Sequence, residues 1–225
     1  MPVKLFYNEM SPPCRAVLMT ARALAIELEL EKVNIYTKEQ IDQNLIRLNP
    51  EHTIPTMVDN DVVIWDSHEI VSYLVEKYGE DDNLYPKDSS RRALVDQKLT
   101  FDAETLFPRI NAIISSIVIE NEKEISTDKI SAITEAYKLL DAFLEDKTYL
   151  AGDCLTIADF CCVATVSTAT IIIPISTEKY PNLSTWYRNF KNFEYYEETN
   201  GEGLSQLDAI VEQKLGRPRN KELCD

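Results

Sequence analysis

The chain has 225 residues, 44% hydrophobic and 27% charged, which is ordinary for a globular protein of one large domain or two small ones. Its formal net charge of −15 speaks against a nucleic-acid partner, whose phosphates demand the opposite sign. Five cysteines, an odd number with no framework spacing and no paired zinc spacing, point to free thiols in a reducing, cytoplasmic compartment and to no metal site.

The start, Met1-Pro2-Val3-Lys4-Leu5, has no signal-peptide layout. No apolar run reaches the length of a membrane span, so no membrane partner is expected. Residues 1–79 alternate strand and helix. Val3–Tyr7 reads as an apolar strand, followed by a helical pattern from Ala16 to Ala25 that Pro12 and Pro13 open. Leu28–Ile35 alternates with period two and predicts a second strand. The polar stretch Lys38–Leu48 predicts a loop with a short helix. Thr56–Asp59 and Val62–Trp65 are short strands, and Asn60-Asp61 between them suits a tight hairpin turn. Ser67–Tyr78 is a helix with Ile70, Val71, Leu74 and Tyr78 on one face. The order is β-α-β-α-β-β-α. The first crossover implies a parallel pair of strands and the hairpin adds antiparallel ones.

Residues 80–88 are polar and proline-flanked and read as a linker. Residues 89–215 predict an all-helical domain. Its first helix runs from Ser89 to about Glu120, kinked at Pro108. Thr127–Phe143 is a second helix. Thr156-Ile157-Ala158-Asp159 is a capping box, and the helix it starts, Ile157 to about Thr170, is apolar on most faces and should be the buried centre. Asn182–Asn192 and Leu204–Lys214 complete the set, and the polar tail 216–225 should fray.

The chemistry concentrates at Tyr7–Arg15. Ser11 falls at the N-cap of the first helix, where a hydroxyl beside backbone N–H groups can either cap the helix or bind an anion. Ser11-Pro12-Pro13-Cys14 also has the spacing of a C-x-x-C redox motif with its leading cysteine replaced. Without that nucleophile dithiol exchange is disfavoured, and Cys14 reads as a small buried hydrophobe.

Several segments together resemble the cytosolic glutathione S-transferases of the insect delta and epsilon type. They are Ser11-Pro12-Pro13-Cys14-Arg15-Ala16-Val17, Asn49-Pro50-Glu51-His52-Thr53-Ile54-Pro55-Thr56 and Ile64-Trp65-Asp66-Ser67-His68, with the Thr156–Asp159 capping box. Tyr195-Tyr196-Glu197-Glu198-Thr199-Asn200-Gly201 is similar to the C-terminal stretch of the epsilon class. The resemblance implies a thioredoxin-like N-terminal domain that holds glutathione as co-substrate. It also implies an all-α domain that shapes a pocket for a small hydrophobic electrophile, and a homodimer.

By the same resemblance Ser11 carries the activating hydroxyl. Thr53 and Ile54-Pro55, the latter with a cis proline, meet the cysteinyl part of glutathione. Asp66, Ser67 and His68 belong to the γ-glutamyl end, and His52 and Gln40 to the glycyl carboxylate. Gln40 stands where related classes often have a second histidine, and Glu69 where the family more often has a small residue. The electrophile pocket is expected from Met10, Pro12, Phe107, Ile110, Asn111, Ile114 and Leu207. The competing reading is a non-catalytic, glutathione-dependent carrier of hydrophobic ligands, because fold does not fix function.

Overall fold

The structure is a computed structural model that describes residues 2–34 and 43–216. Four strands make one mixed sheet in the order β2-β1-β3-β4. Here β1 is Val3–Tyr7, β2 is Leu28–Lys32, β3 is Thr56–Asp59 and β4 is Val62–Trp65. β1 runs parallel to β2, with Val3 opposite Leu28 and Tyr7 opposite Lys32. β3 is antiparallel to β1 and to β4. The connecting helix α1, Pro12–Ala23, supplies the crossover that a parallel pair requires. Asn60 adopts φ 53°, the left-handed turn conformation expected of the hairpin.

Strand β1 is buried on both faces, and its period of two divides the apolar residues between two layers. Val3 and Leu5 join the main core with α1 and with α3, Ser67–Tyr78. Phe6 points the other way, into a small cluster with Val33 and Leu45 on the side of α2, Gln43–Leu48. The thioredoxin-like order β-α-β-α-β-β-α is therefore present. Residues 35–42, including the position of Gln40, and the tail 217–225 lie outside the described residues.

The rest of the chain is helical: α4 (Ser89–Phe101), α5 (Phe107–Val118), α6 (Thr127–Phe143), α7 (Ile157–Thr170), α8 (Pro181–Lys191) and α9 (Glu202–Leu215). Every residue of α7 from Ile157 to Ala169 is buried, and its capping box is formed in both directions. Asp159 of that box also accepts from Leu150 N–H at 2.9 Å and Trp186 Nε1 at 3.0 Å, so it ties a preceding turn and α8 to the central helix.

The elements depart from the sequence pattern in four places. Helix α1 begins at Pro12, as its opening prolines imply, but stops at Ala23, short of Ala25, because Ala25 turns the chain at φ 53°. Strand β2 stops at Lys32 instead of Ile35. The expected kink at Pro108 becomes a π-helical turn over Asp102–Leu106, one turn upstream. Pro108 has no N–H to give to the carbonyl of Glu104. The ladder changes register before it, and Pro108 lies in the first turn of α5, where no N–H is needed. Helix α9 likewise follows a π-helical turn, Glu197–Gly201.

Arg15 joins the two halves. It is fully buried on α1 and donates to Ser167 Oγ, to the Ala164 carbonyl and to Thr168 Oγ1 of α7. It also donates to the carbonyl and Oδ1 of Asn200 in the second π-helical turn. The helix that starts at Ser11 is thus bolted to the helical half by a five-donor guanidinium.

Candidate functional site

The loop between β1 and α1 is shaped by Asn8. Its Nδ2 donates to the Val33 carbonyl at 2.9 Å, its Oδ1 accepts from Met10 N–H at 3.0 Å, and its carbonyl accepts from Ser11 N–H at 3.0 Å. Ser11 then takes the N-cap geometry at φ −79° and ψ 120°, but its side chain makes no capping hydrogen bond. Pro12 and Pro13 fill the first two helical positions and carry no N–H, so Cys14 supplies the only amide of the first turn before Arg15. Cys14 itself is fully buried, and burial pushes its thiol up to about 11. A thiol held neutral is no nucleophile, which removes the redox reading at that position.

Two cavities meet at Ser11. The larger, about 1110 Å³, is lined by Ser11, His52, Thr53, Ile54, Pro55, Asp66, Ser67 and His68, together with residues of α5 and the end of α9. The Ile54-Pro55 bond is cis. Asn49 organises this rim: its Nδ2 donates to the Thr53 carbonyl, Thr53 Oγ1 and Thr56 Oγ1 at 3.0–3.1 Å. His52 is exposed and sits at φ 56°.

The polar end of this cavity is set by Asp66, at φ 68° and half-exposed. It caps α3 by accepting from His68 N–H at 2.8 Å. The His68 ring lies between two carboxylates, with Nδ1 3.0 Å from Asp66 Oδ1 and Nε2 3.0 Å from Asp102 Oδ2. Both nitrogens face acceptors, so the ring is an imidazolium donating to each. Burial alone would lower its pKa, but the hydrogen bonds to Asp102 and Asp66 raise it to about 9. The hydrogen bond from His68 in turn holds the Asp66 carboxyl below its usual value. Glu69 falls in the first turn of α3, where a carboxylate suits the helix dipole.

The smaller cavity, about 280 Å³, is lined by all of the residues expected for an apolar pocket: Met10, Pro12, Phe107, Ile110, Asn111, Ile114 and Leu207. Ser115, Val118, Ile119 and Thr168 complete it with Ser11. Ser115 and Val118 extend the α5 stripe of Phe107, Asn111 and Ile114 by one turn, so a longer reading of the same period would have found them. Thr168 comes from a helix that is buried on all faces and gives no local signal. Asp102 and Arg15 were also unforeseen, because their partners lie far along the chain. One further residue shapes the site. A Cβ on Gly203 of α9 would stand 2.0 Å from the Glu9 carbonyl oxygen, so only glycine lets α9 lie against the loop that carries Met10 and Ser11.

The family model for the N-terminal domain of glutathione S-transferase matches residues 5–82, and that for the C-terminal domain matches residues 93–194. Glutathione S-transferase 1 of Manduca sexta is 37% identical over 217 residues, spanning 96% of this chain and 100% of that one. Among solved structures, an epsilon-class glutathione S-transferase from the housefly Musca domestica superposes with TM-score 0.91 at 41% identity, over 94% of this chain and 98% of that chain. A glutathione transferase homolog from Drosophila mojavensis, with bound glutathione, superposes with TM-score 0.92 at 40% identity, over 95% and 97%. A sheet of this order, a buried central helix with its capping box and matches along nearly the whole chain lead to one conclusion: the chain belongs to the glutathione S-transferase family, with insect epsilon-class members among its structural neighbours.

Proposed function

We propose that Ser11 is the catalytic group and that the chain transfers the glutathione thiolate to a small apolar electrophile. The observation that carries this reading is the Ser11 hydroxyl, which makes no capping hydrogen bond to the backbone of its helix and stands where the two cavities join. The reactive species is the thiolate. A free thiol has a pKa of about 8.5, and lowering it by about two units takes about 2.7 kcal/mol of preferential thiolate stabilisation. A hydrogen bond to a charged acceptor supplies about 1.5–3 kcal/mol, and the end of α1 adds a few tenths to about 1 more. With two prolines in its first turn, α1 offers little beyond the Cys14 amide, so most of the shift falls to Ser11.

Glutathione is assigned to the larger cavity. Asp66 faces its α-ammonium, Ser67 at the start of α3 meets the α-carboxylate, Thr53 and Ile54 flank its cysteinyl backbone, and His52 meets the glycyl carboxylate. His68 has both ring nitrogens committed to carboxylates, so its part is to hold Asp66 in place. The electrophile takes the smaller cavity. The functional units are residues 1–79 and 89–215, joined by 80–88, and the active form is a homodimer.

The test is calorimetric titration with glutathione alongside turnover of a generic aromatic electrophile, for the native chain and Ser11→Ala. The expected result is that both bind glutathione and only the native chain turns over well. Binding without conjugation by the native chain would favour a carrier of hydrophobic ligands, and no binding at all would refute the site assignment.

A further inference from the structure

A third cavity lies behind the loop that carries Ser11. It measures about 530 Å³, within the range of ligand sites, and shares no lining residue with the other two. Its floor is apolar. The edge strand β2 alternates Leu-Glu-Leu-Glu, so Leu28 and Leu30 share the face that lines this cavity, together with Leu18 and Ala21 of α1. Leu30 is left 47% exposed there. The rim is acidic: Glu9, Glu27, Glu198 and Glu202 stand against one guanidinium, Arg22. Arg22 reaches Glu198 at 3.6 Å, with both side chains more than half exposed. Glu27 and Glu202 are exposed and enter no ion pair among the described residues. Glu9 gives Oε1 to Lys32. Its Oε2 is buried, makes no close hydrogen bond among the described residues and has the exposed Gln206 beside it.

We propose that this cavity is a second ligand site, that it takes an organic cation with an apolar body and a primary ammonium, and that its occupancy is felt at Ser11. The leucines remove the body from water. The ammonium pairs with the carboxylates of the rim and reaches Glu9 once Gln206 swings aside. Four carboxylates against one guanidinium repel an apolar anion of the same shape, so the rim selects by sign as well as by contact.

The link to Ser11 is the thin wall between the cavities. Glu9 is followed by Met10 and Gln206 by Leu207; the first of each pair lines the third cavity and the second lines the smaller one. Gly203, packed on the Glu9 carbonyl, lines the third cavity too. A ligand seated against Glu9 and Gly203 touches the support of the Ser11 loop. It binds one placement of that loop better than another, which is what coupling between two sites requires. This coupling rests on the transferase reading above; the binding does not.

The experiment titrates the chain calorimetrically with linear phenylbutylamine, phenylbutanol and phenylbutyrate, which share one body and differ in charge. It uses the native chain, Leu30→Gln and the double variant Glu27→Gln with Glu202→Gln. All three positions are exposed, so the variants do not disturb the core. The amine should bind the native chain about tenfold more tightly than the alcohol, and the butyrate should not bind. Either variant should weaken the amine by up to about tenfold. Equal binding of amine and alcohol, or amine binding that both variants leave unchanged, overturns the site. Turnover of a generic aromatic electrophile is then measured with the amine saturating. It should change by about twofold or more in the native chain, and less in the double variant at the same amine concentration. Binding that leaves native turnover unchanged overturns the coupling to Ser11. A native chain that conjugates nothing overturns the transferase reading and the coupling with it, while the titration still decides the site.

Discussion

Replacing His68 by glutamine tests the link between the two halves at the polar end of the site. In the native chain the imidazolium satisfies Asp66, which faces the cavity, and Asp102, whose side chain is only 5% exposed. Glutamine keeps a donor but no charge, and it leaves the second Asp102 oxygen, Oδ1, buried beside an unneutralised first one. The His68 pKa is about 9 in the fold against 6.5 unperturbed. At about 1.36 kcal/mol per pH unit, that gap makes about 3 kcal/mol of stability. The sign follows from a raised pKa. The contribution is complete below 6.5, where even the unfolded chain binds the proton, and it is lost as pH rises through about 9. Urea unfolding of the native chain and His68→Gln at a series of pH values measures the difference directly. It should be about 3 kcal/mol in mild acid and shrink steadily toward alkaline pH. A difference that stays flat, or grows with pH, would refute the double ion pair.

Three other variants probe the supports of the site. Gly203→Ala would place a methyl 2.0 Å from the Glu9 carbonyl oxygen, well inside a contact distance of about 3.5 Å. The loop carrying Ser11 is expected to give by about 1 Å or more. Such a misplacement can cost about a hundredfold in kcat/KM, with a Tm loss of about 5 °C, and unchanged kinetics would show that the helix moves instead. Arg15→Leu removes the guanidinium's buried hydrogen bonds to Asn200 Oδ1 and to the Asn200 and Ala164 carbonyls, and should cost about 3 kcal/mol or more in denaturant unfolding. Asp159→Ala strips the acceptor from Leu150 N–H, Thr156 N–H and Trp186 Nε1, a loss of similar size. Near-native unfolding midpoints for either variant would show that water replaces the lost partners.

The parts of this fold that were legible in the sequence are those set by local rules. The β1 strand, the β3–β4 hairpin, α3, α6 and α7 lie where period, turn residues and capping box put them. The lining of the apolar cavity was legible through the family resemblance, with Phe107, Ile110 and Ile114 on one helix face and Asn111 and Met10 at less regular places. What escaped depends on distant partners. Nothing near Arg15 announces that Asn200 will meet it 185 residues later. Nothing near His68 announces Asp102, 34 residues on, because the π-helical turn that presents Asp102 arises from the register change before Pro108. Gly203 reads as an ordinary weak helical residue until the Glu9 carbonyl is seen beside it.

The central claim is that the Ser11 hydroxyl stabilises the thiolate of bound glutathione. The direct measurement is the ultraviolet absorbance of that thiolate, titrated with pH in the complexes of the native chain and of Ser11→Ala. The account predicts a pKa near 6.5 for the native complex, about two units below the free thiol, and a return most of the way to about 8.5 in the variant. Equal pKa values in the two complexes would contradict it and move the source of activation away from Ser11.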